Sequence, residues 1–166
     1  MMTVQKPGRS VQDVGTPPWF LKVVSDAFGP IVLDVAASDR YHACEAYLTE
    51  ADDALSLPNW YAPGGMIWCN PPYGRIAPWV EIAARCPTPV AVLVPAAVGS
   101  NWWAAHVHGK AAVFFLRPRL TFLGHDTPFP KDLALLVYGT GIGAGYRLAR
   151  VTPNGIGVEG SEGALS

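Results

Sequence analysis

Charge is what this sequence has least of: 15% of its 166 residues are Asp, Glu, Lys or Arg, and together they sum to a formal −1. So even a balance gives no overall electrostatic pull toward nucleic acid, and any attraction of that kind must come from a local basic face. Cysteine is also scarce. Cys44, Cys69 and Cys86 are odd in number, widely spaced and form no CxxC pair, so neither a disulfide framework nor a zinc site is indicated. Buried thiols in a reducing compartment are the expectation. No apolar run of the eighteen or so residues that a membrane-spanning helix needs is present. The first fifteen residues carry Pro7 and Gly8 but no apolar core of an export signal. A soluble, cytoplasmic protein is expected, without membrane and without metal.

What the sequence has in quantity is apolar surface. Half the residues are hydrophobic, and six each of Trp, Tyr and Phe are present, enough to close one core over a chain of this length. Disorder is expected only at the ends. The reading is a flexible N-terminus over 1–12, a single domain over 13–150 and a flexible C-terminal tail over 151–166, where Gly replaces large apolar residues. No repeat of fixed period is visible.

Helix and strand signals alternate. In TPPWFLKVVSDAFG, Thr16 is the expected N-cap, prolines occupy the first turn, apolar residues from Trp19 to Phe28 share one face, and Gly29 stops the helix. IVLDV (31–35), GMIWCN, VAVLVP, AAVFFL and LALLVYG are short apolar runs that read as buried strands. APWVEIAARC and SNWWAAHVHG between them can form helices. Such alternation predicts a three-layer α/β domain. Ligands in such a sheet bind beyond the carboxyl ends of the strands, which places Asp34, Ala36 and Ser38 on one edge with Asn70, Pro71, Pro72 and Tyr73.

The Asn70-Pro-Pro-Tyr73 turn has a specific chemical capacity. Asn70 offers a side-chain carbonyl and Pro71 a backbone carbonyl, so two acceptors can converge on one amino group. The double proline fixes φ near −65° and stiffens the pair. Tyr73 adds a flat face suited to stacking on a planar ring. An exocyclic amine is a poor nucleophile because its lone pair is delocalised into the ring; acceptors on its hydrogens free that pair for direct attack on a methyl electrophile.

On these residues the chain resembles the short phage-type DNA adenine-N(6) methyltransferases that use S-adenosylmethionine. The likeness runs through Thr16-Pro17, Asp34 to Ser38, Asp53 to Leu55 and Asn70 to Tyr73, then VLVPA, NWW, RPRLTF and LLVYG, covering roughly Asp13 to Gly139. The resemblance implies a Rossmann-like methyltransferase fold, compact and shortened, because only 36 positions separate Asp34 from Asn70. It implies that Asn70, Pro71, Pro72 and Tyr73 form the catalytic clamp. It further implies that Thr16, Pro17, Asp34, Ala36 and Asp53, with Asn70, hold the cofactor, Asp34 near its methionine end and Asp53 at its adenine. A bacterial host cell, a phage or prophage gene and a link to restriction-modification are also what the family suggests.

Beyond the motif, Arg117, Arg119 and Phe122 follow the AAVFFL strand and are candidates to grip phosphate or fill the gap left by a flipped base. Arg75 and Lys131 are further phosphate candidates, with double-stranded DNA and a flipped adenine as the expected partner. No large block interrupts the core strands, which suggests a relaxed sequence preference. The same clamp would serve an RNA base or a protein glutamine amide, and a non-catalytic nucleic-acid-binding module is the third reading. His106 and His108, at i and i+2, do not share a helical face, and His42 and His125 have no liganding company. GTGIGAG (139–145) reads as an exit loop, since it follows the last expected strand.

Overall fold

The computed structural model describes residues 14–160. The expected flexible N-terminus over 1–12 and residues 161–166 of the tail expected over 151–166 lie outside the described residues, as does Asp13. Helix α1 (Pro18–Phe28) opens the fold and buries Phe20, Val23 and Val24, an i, i+3, i+4 set worth about 2 kcal/mol per side chain against water. Its N-cap is Pro17, not Thr16, and no side chain caps it. The reason is local: a residue before proline is held extended, so Pro18 starts the helix and leaves Thr16 beyond reach of the first turn. Gly29, at φ 119°, ends it.

Seven strands follow: β1 (Ile31–Asp34), β2 (Met66–Cys69), β3 (Val90–Pro95), β4 (Ala112–Arg117), β5 (Leu133–Tyr138), β6 (Gly145–Thr152) and β7 (Gly155–Val158). They form one sheet in the order β1-β2-β3-β5-β4-β6-β7. β1, β2 and β3 are mutually parallel, β5 is antiparallel to both β3 and β4, and β6 is parallel to β4. The carboxyl ends of β1, β2, β3, β4 and β6 therefore share one edge.

Alternation along the strands covers both faces. Met66, Trp68, Leu93, Phe114 and Leu135 pack with α1, while Ile67, Cys69, Val92, Val113 and Leu136 pack with α2 (Ala77–Arg85) and α3 (Asn101–His106). The result is a three-layer α/β sandwich, compatible with a compact Rossmann-like methyltransferase. No helix separates β1 from β2. Two short 3₁₀ turns, Glu50–Asp52 and Ala54–Ser56, lie there instead, and β1 is an edge strand, less buried than its apolar sequence suggests.

The described part of the expected flexible tail is sheet. Residues 151 and 152 complete β6, and β7 pairs with it antiparallel from Thr152↔Gly155 to Ala149↔Val158. Pro153 and Asn154 make the turn, and Ala149, Val151 and Ile156 are buried. Gly-rich composition hid the alternation, because β7 carries a large side chain only at every second position. Among the described residues, no helix is long and apolar enough to cross a membrane.

Candidate active site

Asp34 ends β1 and Asn70 follows β2, which are neighbours in the sheet with Asp34 opposite Trp68. Both polar side chains are buried, at 5% and 8% exposure, and Thr88 is the only other buried polar residue among the described ones. Between them and α1 opens a cleft of about 570 Å³, lined by Thr16, Asp34, Ala36 and Asn70 together with Gly15, Pro18, Lys22, Arg40, Tyr41, His42, Ala43, Trp68 and Leu123. Its walls thus come from the segment before α1, from α1 itself, from β1 and the loop after it, from β2 and the turn after it, and from the loop after β4.

The segment before α1 is tied down on three sides. Gly15 bridges Leu123, whose N–H donates to the Gly15 carbonyl at 2.8 Å. A Cβ at position 15 would sit 2.6 Å from the Tyr41 ring, so no larger residue fits without moving that wall. Thr16 is the third tie: Asn70 Nδ2 donates to its Oγ1 at 3.4 Å. That bond leaves Asn70 Oδ1 buried and without a partner. An unpaired buried acceptor costs about 1–3 kcal/mol, which marks it as a group kept for something that brings a donor.

Pro71 is buried beside it, and the Arg75 N–H donates to the Pro72 carbonyl at 3.1 Å, closing the turn on which Tyr73 sits. The Tyr73 ring is partly buried, packs against both core layers and meets Phe129 edge-on at 5.5 Å. Its hydroxyl is the second buried polar atom without a partner, and burial, with the nearby Cys69, holds the phenol well above the usual tyrosine range. Orphaned acceptor and orphaned hydroxyl are thus three residues apart on one turn.

Asp34 has the opposite character. Its Oδ1 accepts from Ala36 N–H at 3.1 Å and its Oδ2 from Ala43 N–H at 2.9 Å. Burial nonetheless dominates and pushes its carboxyl up to about 6.

Residues 6–133 match the family model described as DNA N-6-adenine-methyltransferase (Dam). The chain belongs to this family. It is also 25% identical, over 116 residues, to the DNA N-6-adenine-methyltransferase of Escherichia phage T1, an alignment covering 68% of this chain and 48% of the phage protein. The chain spans about half the length of that curated relative.

Among the residues expected for a Dam family member, the structure brings Thr16, Asp34, Ala36 and Asn70 to one cleft. Pro17 is buried behind it as the cap of α1, its carbonyl accepting from Phe20 and Leu21. Asp53 is exposed, in a left-handed conformation at φ 48°, and is not among the cleft-lining residues. It is the neighbouring Ala54 that is buried, its carbonyl accepting from Trp60 Nε1. Phe122 is 4% exposed and packs edge-on against Phe129, so it is a core residue and not a free wedge for a base stack.

Arg117 ends β4 and pairs with Glu159, while Arg119 pairs with Asp132 at 3.0 Å. Arg75 and Lys131 are exposed. All four lie toward the strand-end edge that carries the cleft. Sequence reasoning missed the Arg40-Tyr41-His42 wall, whose members are neither periodic nor a known motif. Its one legible mark is a cation, a phenol and an imidazole run together directly after the DVAAS turn.

Proposed function

We propose that the protein transfers a methyl group from S-adenosylmethionine to the exocyclic amino group of adenine in double-stranded DNA. The observation that carries the reading is Asn70 Oδ1: buried, unpartnered and on the rim of the cleft that also holds Asp34. Family membership makes adenine the natural amine for it. The cleft fits the cofactor in size and in its mixture of aromatic and polar walls.

S-adenosylmethionine, when bound, supplies an electrophilic methyl group. Asn70 Oδ1 accepts one hydrogen of the adenine amine and the Pro71 carbonyl the other, which localises the nitrogen lone pair for in-line attack. Thr16, Asp34 and Ala36 would hold the cofactor beside Asn70 so that its methyl would pass to the amine nitrogen, the sulfur keeping the bonding pair and one amine proton leaving to solvent. Thr16 fixes the Asn70 amide so that its oxygen, not its nitrogen, meets the amine. The exposed part of the Tyr73 ring takes the face of the base, which must leave the duplex to reach this depth. Arg75, Arg117, Arg119 and Lys131 supply the phosphate contacts. The setting is the cytoplasm of a bacterial host, where DNA and cofactor are both at hand.

DNA from cells expressing the protein, digested to nucleosides and measured by mass spectrometry, should contain N(6)-methyladenine above that of cells expressing Asn70→Ala. Equal amounts in both would end the reading. Cofactor binding without DNA methylation would transfer it to an RNA or glutamine-amide acceptor.

A further inference from the structure

Every polar atom of Asp34 is bonded to the loop over residues 36–48. Its N–H donates to the Ala46 carbonyl at 3.0 Å and its carbonyl accepts from Leu48 N–H at 2.8 Å, while the two carboxylate oxygens hold Ala36 and Ala43. This loop stands where a strand–helix unit would otherwise follow β1, and it has no helix of its own to fix it. A single parallel bridge, Asp34↔Tyr47, is its only sheet pairing among the described residues. Yet it supplies Ala36, Arg40, Tyr41, His42 and Ala43 to the cleft. A loop without regular structure holds its shape through such local clasps, and charge-assisted bonds to backbone N–H groups are the strongest available.

We propose that Asp34 is a positioning residue that shapes the cofactor cleft through the backbone of residues 36–48. This rests on the reading of the cleft as the S-adenosylmethionine site. One backbone N–H on each carboxylate oxygen leaves a second acceptor site on each, and Asp34 lines the cleft, so a contact with the cofactor's amino-acid end would add to this role and not replace it.

Two probes separate the roles. S-adenosylhomocysteine carries the amino-acid end of the cofactor; 5′-methylthioadenosine lacks it. Calorimetric affinities of both are compared in wild type and Asp34→Asn, whose NH₂ group cannot accept from one of the two backbone donors. A clasp predicts a loss of about tenfold for 5′-methylthioadenosine, the effect of one charge-assisted hydrogen bond, and at least that loss for S-adenosylhomocysteine. A loss confined to S-adenosylhomocysteine, or no loss for either, overturns it. Absence of binding of either probe to the wild type sinks the cofactor reading itself.

Should Asp34→Asn not fold, the wild type is titrated with both probes from about pH 8 to about pH 5, across the value near 6 to which burial pushes Asp34. The titratable groups facing Asp34 are His42 and Cys44 on the loop and Cys69 on β2, so His42→Gln is measured alongside. Parallel weakening of both probes as pH falls, kept in His42→Gln, supports the clasp. Affinity for 5′-methylthioadenosine that stays flat while that for S-adenosylhomocysteine falls overturns it.

Discussion

Asn70 Nδ2 donates to Thr16 Oγ1 across 3.4 Å, joining the end of β2 to the segment ahead of α1. An amide presents acceptor and donor on opposite sides, and which side faces an incoming amine decides whether it attracts or repels it. Replacing Thr16 by Val removes the partner while keeping the shape. Single-turnover methyl transfer at saturating cofactor should fall about tenfold, equivalent to about 1.4 kcal/mol, and Thr16→Ser should restore it. A loss of cofactor affinity with an unchanged rate would assign Thr16 to the cofactor alone.

Asn70→Ala should lower transfer by about 100-fold or more, the usual cost of losing a preorganised polar group at the reacting centre. The fold should persist, since an orphaned acceptor leaves with the side chain. Rates within a few-fold of wild type would remove Asn70 from the chemistry.

Tyr73 separates packing from polarity. Tyr73→Phe removes a buried hydroxyl that has no partner, so unfolding in urea should show equal stability or a gain of about 1 kcal/mol. Tyr73→Ala should cost about 3–5 kcal/mol, because the ring touches both core layers and Phe129. A marked loss in Tyr73→Phe would mean that the hydroxyl is bonded in solution.

Arg117 and Arg119 are paired with Glu159 and Asp132, so a phosphate has to displace a carboxylate. Asp132→Asn should therefore tighten duplex binding several-fold at low salt and steepen its salt dependence, as anisotropy of a labelled duplex would read. Unchanged binding would take these arginines out of the DNA interface.

The raised Asp34 carboxyl sets a pH dependence of stability. Its ordinary value is 3.8 and burial pushes it up to about 6. Between these values the folded protein holds a proton that the unfolded chain has lost, so stability falls as pH rises through the window and is flat on either side of it. The difference in unfolding free energy between wild type and Asp34→Asn, followed against pH, should show that slope and no other.

The strands through β5 and all three helices were legible because each is a short apolar run or an amphipathic face between Pro and Gly. The NPPY turn stood out because it follows a buried strand at the edge where ligands bind and lies behind the Asp34 and Asp53 segments in order. β7 was not legible, since Gly155 and Gly157 leave its alternation almost bare. Thr16 was misread as a cap because it fits the local pattern, and only the turn 54 positions later reveals its partner. Phe122 had equal claims to core and interface, and what decides between them is the fold-back that brings Phe129 against it.

β5 is central in space but late in the chain, and all six of its residues are buried between β3 and β4. Until it emerges from the ribosome, β3 and β4 each present a bare apolar edge with no strand to pair it. The nascent chain at that point therefore carries one half-sheet, β1-β2-β3, and a lone β4, because β6 and β7 come later still. β5 is the segment that joins β4 to the sheet and closes an edge open to association with other chains.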